Sequence, residues 1–340
     1  MIRTAPDPAA PDTMTILRAR GRRLCKTITP TRTIAYDDAR TFDMEPVAVP
    51  DLSALAEVLE WLAGERDRCA VLAAPADPAR MRRVRRLLHA DKETGDAPTL
   101  RAVPRTWIAL DFDGVPLPEG CDPRDLGGCA AALLPLLPRA FAGAGLVVQA
   151  SGSHGVKPGI RLRLWPIFSR PITSTEAARW LNSSPKLDRC SYAPAQPIYT
   201  AAPIFADGAE DPLPRRLRVI PGPPVPVPGP AALAPSPAPP PRPLPRPSDT
   251  RASRYAYAAL AQATARVRAA EGTRHTTAIR EAMGLARLVR AGLLTEAAVA
   301  HALTGALGDG RADPDEARKL TAWALAHTDE GRPLPEGIAP

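Results

Sequence analysis

Aromatic side chains are scarce in this sequence: Phe, Trp and Tyr together make up 4% of 340 residues. A protein that holds a long single strand by stacking its bases needs more of them, so extensive stacking of that kind is not expected. Cysteine is sparse too, with five residues (Cys25, Cys69, Cys121, Cys129, Cys190) and no CxxC pair. That odd set supports neither a disulfide framework nor a zinc site and points to a reducing compartment. No apolar run reaches the roughly 18 residues that span a bilayer, and the opening "MIRTAPDPAAPD" lacks the apolar stretch of an export leader. A cytoplasmic protein without a membrane anchor is therefore expected. A GxxxxGK followed by Ser or Thr is also missing, so the phosphate loop of an ATPase or helicase is not indicated.

What is present is arginine and proline. Lys and Arg number 44 against 36 Asp and Glu, a formal charge of +8, and the cations are nearly all Arg, whose planar fork suits phosphate. The excess favours polyanion partners. Fourteen of the 27 residues from Pro221 to Pro247 are proline, a density that opposes helices and sheet ladders and favours an extended spacer. The spacing thus divides the chain into a disordered N-terminus at 1–14, a core at 15–220, a linker at 221–250 and a second domain at 251–335.

In the core, "TRTIAYDDA", "CAVLAAP", "TWIALDFDG", "AGLVVQASGS" and "GIRLRLWPIF" read as strands. "LSALAEVLEWLAGE", "PARMRRVRRLLHA", "LGGCAAALLPLLPRAF" and "STEAARWLNSS" read as helices. Their alternation predicts an α/β or α+β domain with a mixed sheet. On a helix over 79–90, Arg82, Arg83, Arg85 and Arg86 would face away from Met81, Val84, Leu87 and Leu88, a stripe able to meet phosphate. Beyond the linker the pattern is wholly helical, a small bundle of four helices. Ile279, Met283, Ala286 and Val289 share one face there, Gly292 is a C-cap, Thr295 opens the third helix, and Asp313, Pro314 and Glu316 form a capping box for the fourth.

The apolar run "WIAL" ends in "DFDG". Residues two apart on a strand project to one face, so Asp111 and Asp113 would stand side by side, with Gly114 letting the chain turn away. Paired carboxylates suit shared Mg²⁺ or Mn²⁺ and two-metal phosphoryl or nucleotidyl transfer. Downstream, "ASGSHGVKPGIRLRLWP" gathers Ser151, Ser153, His154, Lys157, Arg161 and Arg163. Small residues, hydroxyls and cations in such a run make a phosphate cradle, and Arg161 and Arg163 face the same way along a strand. Asp188, in "KLDRCSYAPAQPIYTAAPIF", offers either a third carboxylate or an ordinary turn cap.

The order of these motifs, hydrophobic-DxD, then Ser/His before a strand, then hydrophobic-Asp, resembles the archaeo-eukaryotic primase superfamily. "SGSHGVKPGIRLRLW" and "LDRCSYAPAQPIYTAAPIF" are similar to the primase-polymerases of plasmids, phages and integrated elements, over about 100–215. The resemblance implies an α+β catalytic core of that type, with Asp111, Asp113 and Asp188 holding catalytic metals and His154 touching the phosphates of an incoming NTP or dNTP. It also implies a single-stranded DNA template and a separate replicative helicase. "EGTRHTTAIREAMGLARLVRAGLLTEAAV" is similar to the helical domain that often follows such cores. The family's second motif is usually Ser-x-His, whereas Gly152 stands two before His154 here, with serines at 151 and 153. Two other readings use the same residues. "ALDFDG" is similar to the first motif of haloacid-dehalogenase-type phosphatases, with Asp111 as nucleophile, although Val115 stands where that family has Thr or Ser. A catalytically inactive replication accessory or DNA-binding protein is the other.

Overall fold

Two runs, "LVVQA" and "LRLWPIFSRPI", carry enough consecutive buried apolar residues to be strands covered on both faces, and the core is built around them. The computed structural model describes residues 6–91, 93–234, 250–270, 274–307 and 314–328. It separates into two units, Met1–Pro235 and Ser236–Pro340.

The strands of the first unit are β1 (Thr13–Arg18), β2 (Thr27–Ile28), β3 (Thr33–Ile34), β4 (Asp43–Ala48), β5 (Arg68–Val71), β6 (Ala74–Pro75), β7 (Leu100–Arg101), β8 (Arg105–Trp107), β9 (Leu110–Asp111), β10 (Leu146–Ala150), β11 (Leu162–Ile172), β12 (Ile204–Phe205) and β13 (Leu217–Ile220). Its helices are α1 (Leu52–Gly64), α2 (Leu126–Leu133) and α3 (Ser174–Leu181). The central sheet runs β13-β10-β11-β8, with β9 also on β11, and a second sheet runs β4-β1-β5. The architecture is α+β. Both main sheets are antiparallel, and among the described residues the parallel strand pair is the two-residue β2–β12. The expected mixed sheet is confined to the small β12-β2-β3 sheet: helices and strands alternate along the chain, but the strands of the two main sheets return by hairpins and loops rather than by parallel crossovers.

Packing explains the order. Trp107 on β8 and Trp165 on β11 are fully buried with ring centroids 6.0 Å apart, and Phe141, Phe168 and Trp180 form a second aromatic cluster under α3. The few aromatics are therefore spent mainly on the core, where each buries a large apolar area. Helix α1 starts at Asp51, whose carboxylate accepts from Ala54 N–H, and α3 carries a capping box between Thr173 and Glu176.

Four sequence expectations are corrected. Residues 81–90 form no helix: Val84 bridges to Phe42, and Leu87 N–H donates to Thr99 Oγ1, so these backbone donors are satisfied by other segments of the chain. Arg85 and Arg86 leave the supposed stripe, Arg85 pairing with Asp91 and Asp96 and Arg86 donating to Ala195 O. "TRTIAYDDA" contributes only Thr33–Ile34 as strand. The N-terminal boundary at 14 moves, because Thr13 and Met14 open the central strand β1 and the carbonyls of Pro8, Ala10 and Pro11 accept bonds from Arg105 and Thr106. The spacer also begins later than Pro221. Val225 is fully buried and exchanges backbone bonds with Ile167 and Ser169, while Gly145 N–H donates to Pro223 O. A Cβ on Gly145 would stand 2.5 Å from Gly222 O, so two glycines allow this closely packed crossing.

The second unit is a helical bundle of α4 (Arg251–Ala269), α5 (Arg274–Arg290), α6 (Glu296–Leu307) and α7 (Pro314–His327). Its core is rich in alanine, with Leu260, Val267, Leu285, Leu288, Val299, Leu303 and Leu320 between the helices. Arg266 forks onto Glu281 at 2.7 and 3.0 Å. Gly292 takes φ +70° after α5, and Thr295 Oγ1 accepts from Ala298 N–H at the start of α6. The face assigned to α5 is rotated: Ala278, Ala282, Leu285 and Ala286 are buried, whereas Met283 is exposed. The capping residue Asp313 lies outside the described residues.

Candidate functional site

The "DFD" pair sits where β9 leaves the central sheet. Strands β9 and β11 are antiparallel with Asp111 opposite Arg163, and Phe112 N–H donates to Leu162 O. A period of two on both strands then sets Asp113 opposite Arg161. The side chains follow that register. Arg163 Nη2 donates to Asp111 Oδ2 at 2.7 Å, and Arg161 Nη1 donates to Asp113 Oδ1. Gly114, at φ +73°, ends the pattern, and Val115 pairs with Ile160 in a shifted register.

Asp188 reaches the same place through the backbone. Phe112 bridges Leu187, Asp188 N–H donates to Asp111 O at 2.9 Å, and Asp111 N–H donates to Ser191 Oγ at 3.0 Å. Leu187 turns into the core while Asp188 stays exposed and caps the 3₁₀ turn Arg189–Tyr192, accepting from Cys190 N–H. The turn-cap reading of Asp188 and its place beside the pair therefore both hold geometrically.

A cleft of about 260 Å³ opens above these groups, lined by Asp111, Asp113, Asp188, Ser151, Ser153 and Arg163. Ser151 Oγ and Ser153 Oγ lie 3.4 Å apart. Six of the nine residues singled out from sequence thus share one cleft. The other three do not line it. Lys157 is exposed elsewhere on its loop, and Arg161 stands behind Asp113. His154 is fully buried, its Nε2 bonded to Pro123 O at 2.9 Å and its Nδ1 accepting from Arg161 N–H at 3.2 Å. With both ring nitrogens engaged, His154 fastens the loop and does not face the cleft, which corrects the phosphate contact expected of it.

Burial holds the His154 pKa below its ordinary 6.5, against the raising effect of the Pro123 carbonyl. The depressed value gives stability that is complete above pH about 6.5 and is lost as pH falls through the folded-state value. His154→Gln should therefore flatten the fall of melting temperature below that pH, measured by thermal denaturation across a pH series. An unchanged slope would refute the neutral, buried role.

Several residues in or behind the cleft were invisible to motif reading. Gln149 is buried, with Oε1 accepting from Arg163 at 3.3 Å and from Trp165 Nε1 at 3.1 Å, and Nε2 donating to Thr200 O. It orients the arginine that holds Asp111, together with Tyr199 O at 2.9 Å. Lys26 brings a cation from the β2 segment, and Tyr36 stacks on Tyr199 with centroids 3.8 Å apart. Only the lone amide in the continuous apolar run around Gln149 hinted at one of them; the others come from distant segments with no spacing signal.

The three aspartates are the hard oxygen donors that Mg²⁺ or Mn²⁺ takes, and they border one cleft. The donor type fits such an ion. Among the described residues, however, no three acidic, His or Cys side chains converge closely enough to hold one, and Arg163 and Arg161 occupy the carboxylates. The arrangement is a set of two cross-strand ion pairs beside a third acid. It presents carboxylates, an arginine and serine hydroxyls to one small volume. The phosphatase reading lacks its second acidic pair here, since Asp37 is tied to Arg23 and Asp188 is the remaining cleft carboxylate.

Comparison with known proteins leaves the family open. No family model matches the chain, and no solved structure matches it. A protein of Escherichia phage T5, named provisionally as a replication origin binding protein, is 32% identical over 124 residues, which is 32% of this chain and 13% of that protein. The chain therefore spans a small part of that relative's length. Among the described residues no helix is long and apolar enough to cross a membrane.

Proposed function

We propose that the first unit is a metal-dependent nucleotidyl-transfer core that makes or extends primers on single-stranded DNA during replication of a mobile element. The observation that carries this reading is the cross-strand match of Asp111 and Asp113 with Arg163 and Arg161, to which a main-chain bond adds Asp188. The likeness to a phage protein named for origin binding supports a replication role.

Asp111, Asp113 and Asp188 are the residues that would hold Mg²⁺ or Mn²⁺, with the three carboxylates drawn closer together than they stand in this structure. When bound, such ions neutralise triphosphate charge and activate the attacking oxygen. The chain's own part is positioning. Arg161, with Asp113 71% exposed beside it, can exchange a carboxylate for a phosphate oxygen, because both accept the same planar fork. Arg163 is held by Gln149 and Tyr199 O and keeps Asp111 oriented. Ser151 and Ser153 offer hydroxyl donors, and Lys26 adds charge at the cleft. A 3′-hydroxyl then attacks the α-phosphate of an NTP or dNTP and releases pyrophosphate, with no covalent enzyme intermediate, so positioning and charge neutralisation supply the acceleration.

The test is primer synthesis on circular single-stranded DNA without added primer, with NTPs or dNTPs and with Mg²⁺ or Mn²⁺, alongside Asp188→Asn. Products from the wild type, reduced by about 10²-fold or more in the variant, are expected. Absence of both de novo products and extension of a supplied primer would overturn the reading. The second reading, a DNA-binding replication accessory, is favoured by the arginine-occupied carboxylates. It requires salt-dependent DNA binding with no incorporation.

A further inference from the structure

A second, wider cleft of about 620 Å³ lies on the same unit, and its walls are dominated by arginine. Arg18 comes from the end of β1, Arg20 and Arg22 from the loop after it, Arg40 from the approach to β4, and Arg82 and Arg83 from the segment expected to be helical. Two aspartates, Asp38 and Asp43, face these six cations. Arg20 pairs with Asp43 at 2.6 Å, Arg18 turns to Asp67 at 2.8 Å, and Arg40 stands 3.7 Å from Asp38. Arg22, Arg82 and Arg83 are exposed, with no carboxylate in ion-pair range among the described residues.

The position of Arg82 and Arg83 is built. Arg83 has φ +52°, an uncommon conformation for a residue with a Cβ. Its N–H donates to Asp43 Oδ1 at 3.0 Å, and Val84 exchanges backbone bonds with Phe42 on the other side. These bonds fasten the segment to the start of β4 and leave both arginines exposed along the cleft.

The two segments that wall this cleft also wall the aspartate cleft. The chain runs from Arg22 to Lys26 on one side and from Arg40 back to Tyr36 on the other. Midway, Arg23 and Asp37 lock the segments together: Arg23 N–H donates to Asp37 Oδ2 at 2.7 Å, and Asp37 N–H donates to Arg23 O at 2.8 Å. Tyr36, 40% exposed, presents an aromatic face at the far end, supported from behind by Tyr199.

We infer that this arginine cleft is a docking track for single-stranded DNA, running phosphates past Arg22, Arg82 and Arg83 and placing an unpaired base on Tyr36 at the entrance to the Asp111 cleft. A strand with one charge per nucleotide matches a row of guanidinium groups, and a base matches the terminal aromatic face. An acidic peptide needs no such face, and a duplex hides its base faces in the stack. The choice of DNA rests on the replication reading above; the track itself rests on the arginines.

The test uses the full chain and fluorescence anisotropy of a labelled oligothymidylate over a salt series. In the triple variant Arg22→Ala, Arg82→Ala, Arg83→Ala, affinity should fall at least about tenfold and the slope of log affinity against log salt should shrink by about 2, at about 0.7 per lost contact. Tyr36→Ala should weaken binding with the slope unchanged, and the triple lysine variant should restore the slope. An unchanged slope in the alanine triple variant, with an unchanged melting temperature, overturns the track. Tighter binding of the matching duplex or RNA overturns the choice of single-stranded DNA. Groove-dependent binding without any nucleotide incorporation would leave the track standing while the nucleotidyl-transfer reading fails, and the reverse pattern would separate them the other way.

Discussion

Replacing Asp111 and Asp113 together by asparagine is expected to lower templated incorporation by about 10³-fold or more while leaving the fold intact. Asparagine keeps the volume and one oxygen able to accept from Arg163 and Arg161, so the cross-strand contacts survive in weakened form. What is removed is negative charge, the property a divalent cation requires. Asp111→Ala is a poorer probe. Arg163 is buried, and alanine removes its hydrogen-bond acceptor as well as its counter-charge, at a cost of about 3 kcal/mol. Incorporation measured beside thermal melting separates the two effects. A double asparagine variant with wild-type incorporation would remove these aspartates from the chemistry.

Arg105→Met is expected to destabilise the first unit by about 3–5 kcal/mol, read as a large drop in its melting temperature. The guanidinium is 2% exposed and donates to Leu72 O at 2.8 Å, Ala10 O at 2.7 Å and Pro8 O at 3.3 Å. Its partners are carbonyls, and burial lowers its pKa to about 10, so it remains charged at neutral pH. Methionine fills similar volume but leaves three carbonyls without this donor. Because two of them belong to residues 8–10, limited proteolysis should also cut the N-terminal segment of the variant sooner. A variant as stable and as resistant as wild type would show that water or other groups satisfy those carbonyls.

Both predictions depend on residues whose partners are remote in sequence, and this marks the boundary of what could be read in advance. The helices α1, α3, α4, α5 and α6 and the strands β10 and β11 were legible, because cap residues and apolar periodicity act within a few positions. The segment 79–90 misled for the same reason: its arginines and leucines have helical spacing, but Phe42 and Thr99 supply bonds that local propensity cannot anticipate. The prolines of 221–234 look like a spacer in isolation, yet Val225 finds a sheet edge to pair with and a core to enter.

The same division runs through the site. The spacing of "DFD" and "RLR" by itself determined that two acids and two arginines each share a strand face, because side-chain alternation is a local property of extended backbone. Only the tertiary structure decided that those faces oppose one another, that Asp188 is hydrogen-bonded onto Asp111, and that His154 is turned away and buried. The arginine cleft belongs wholly to that second class. Its cations come from three stretches of chain, and long-range pairing, which sequence spacing does not encode, sets them along one wall.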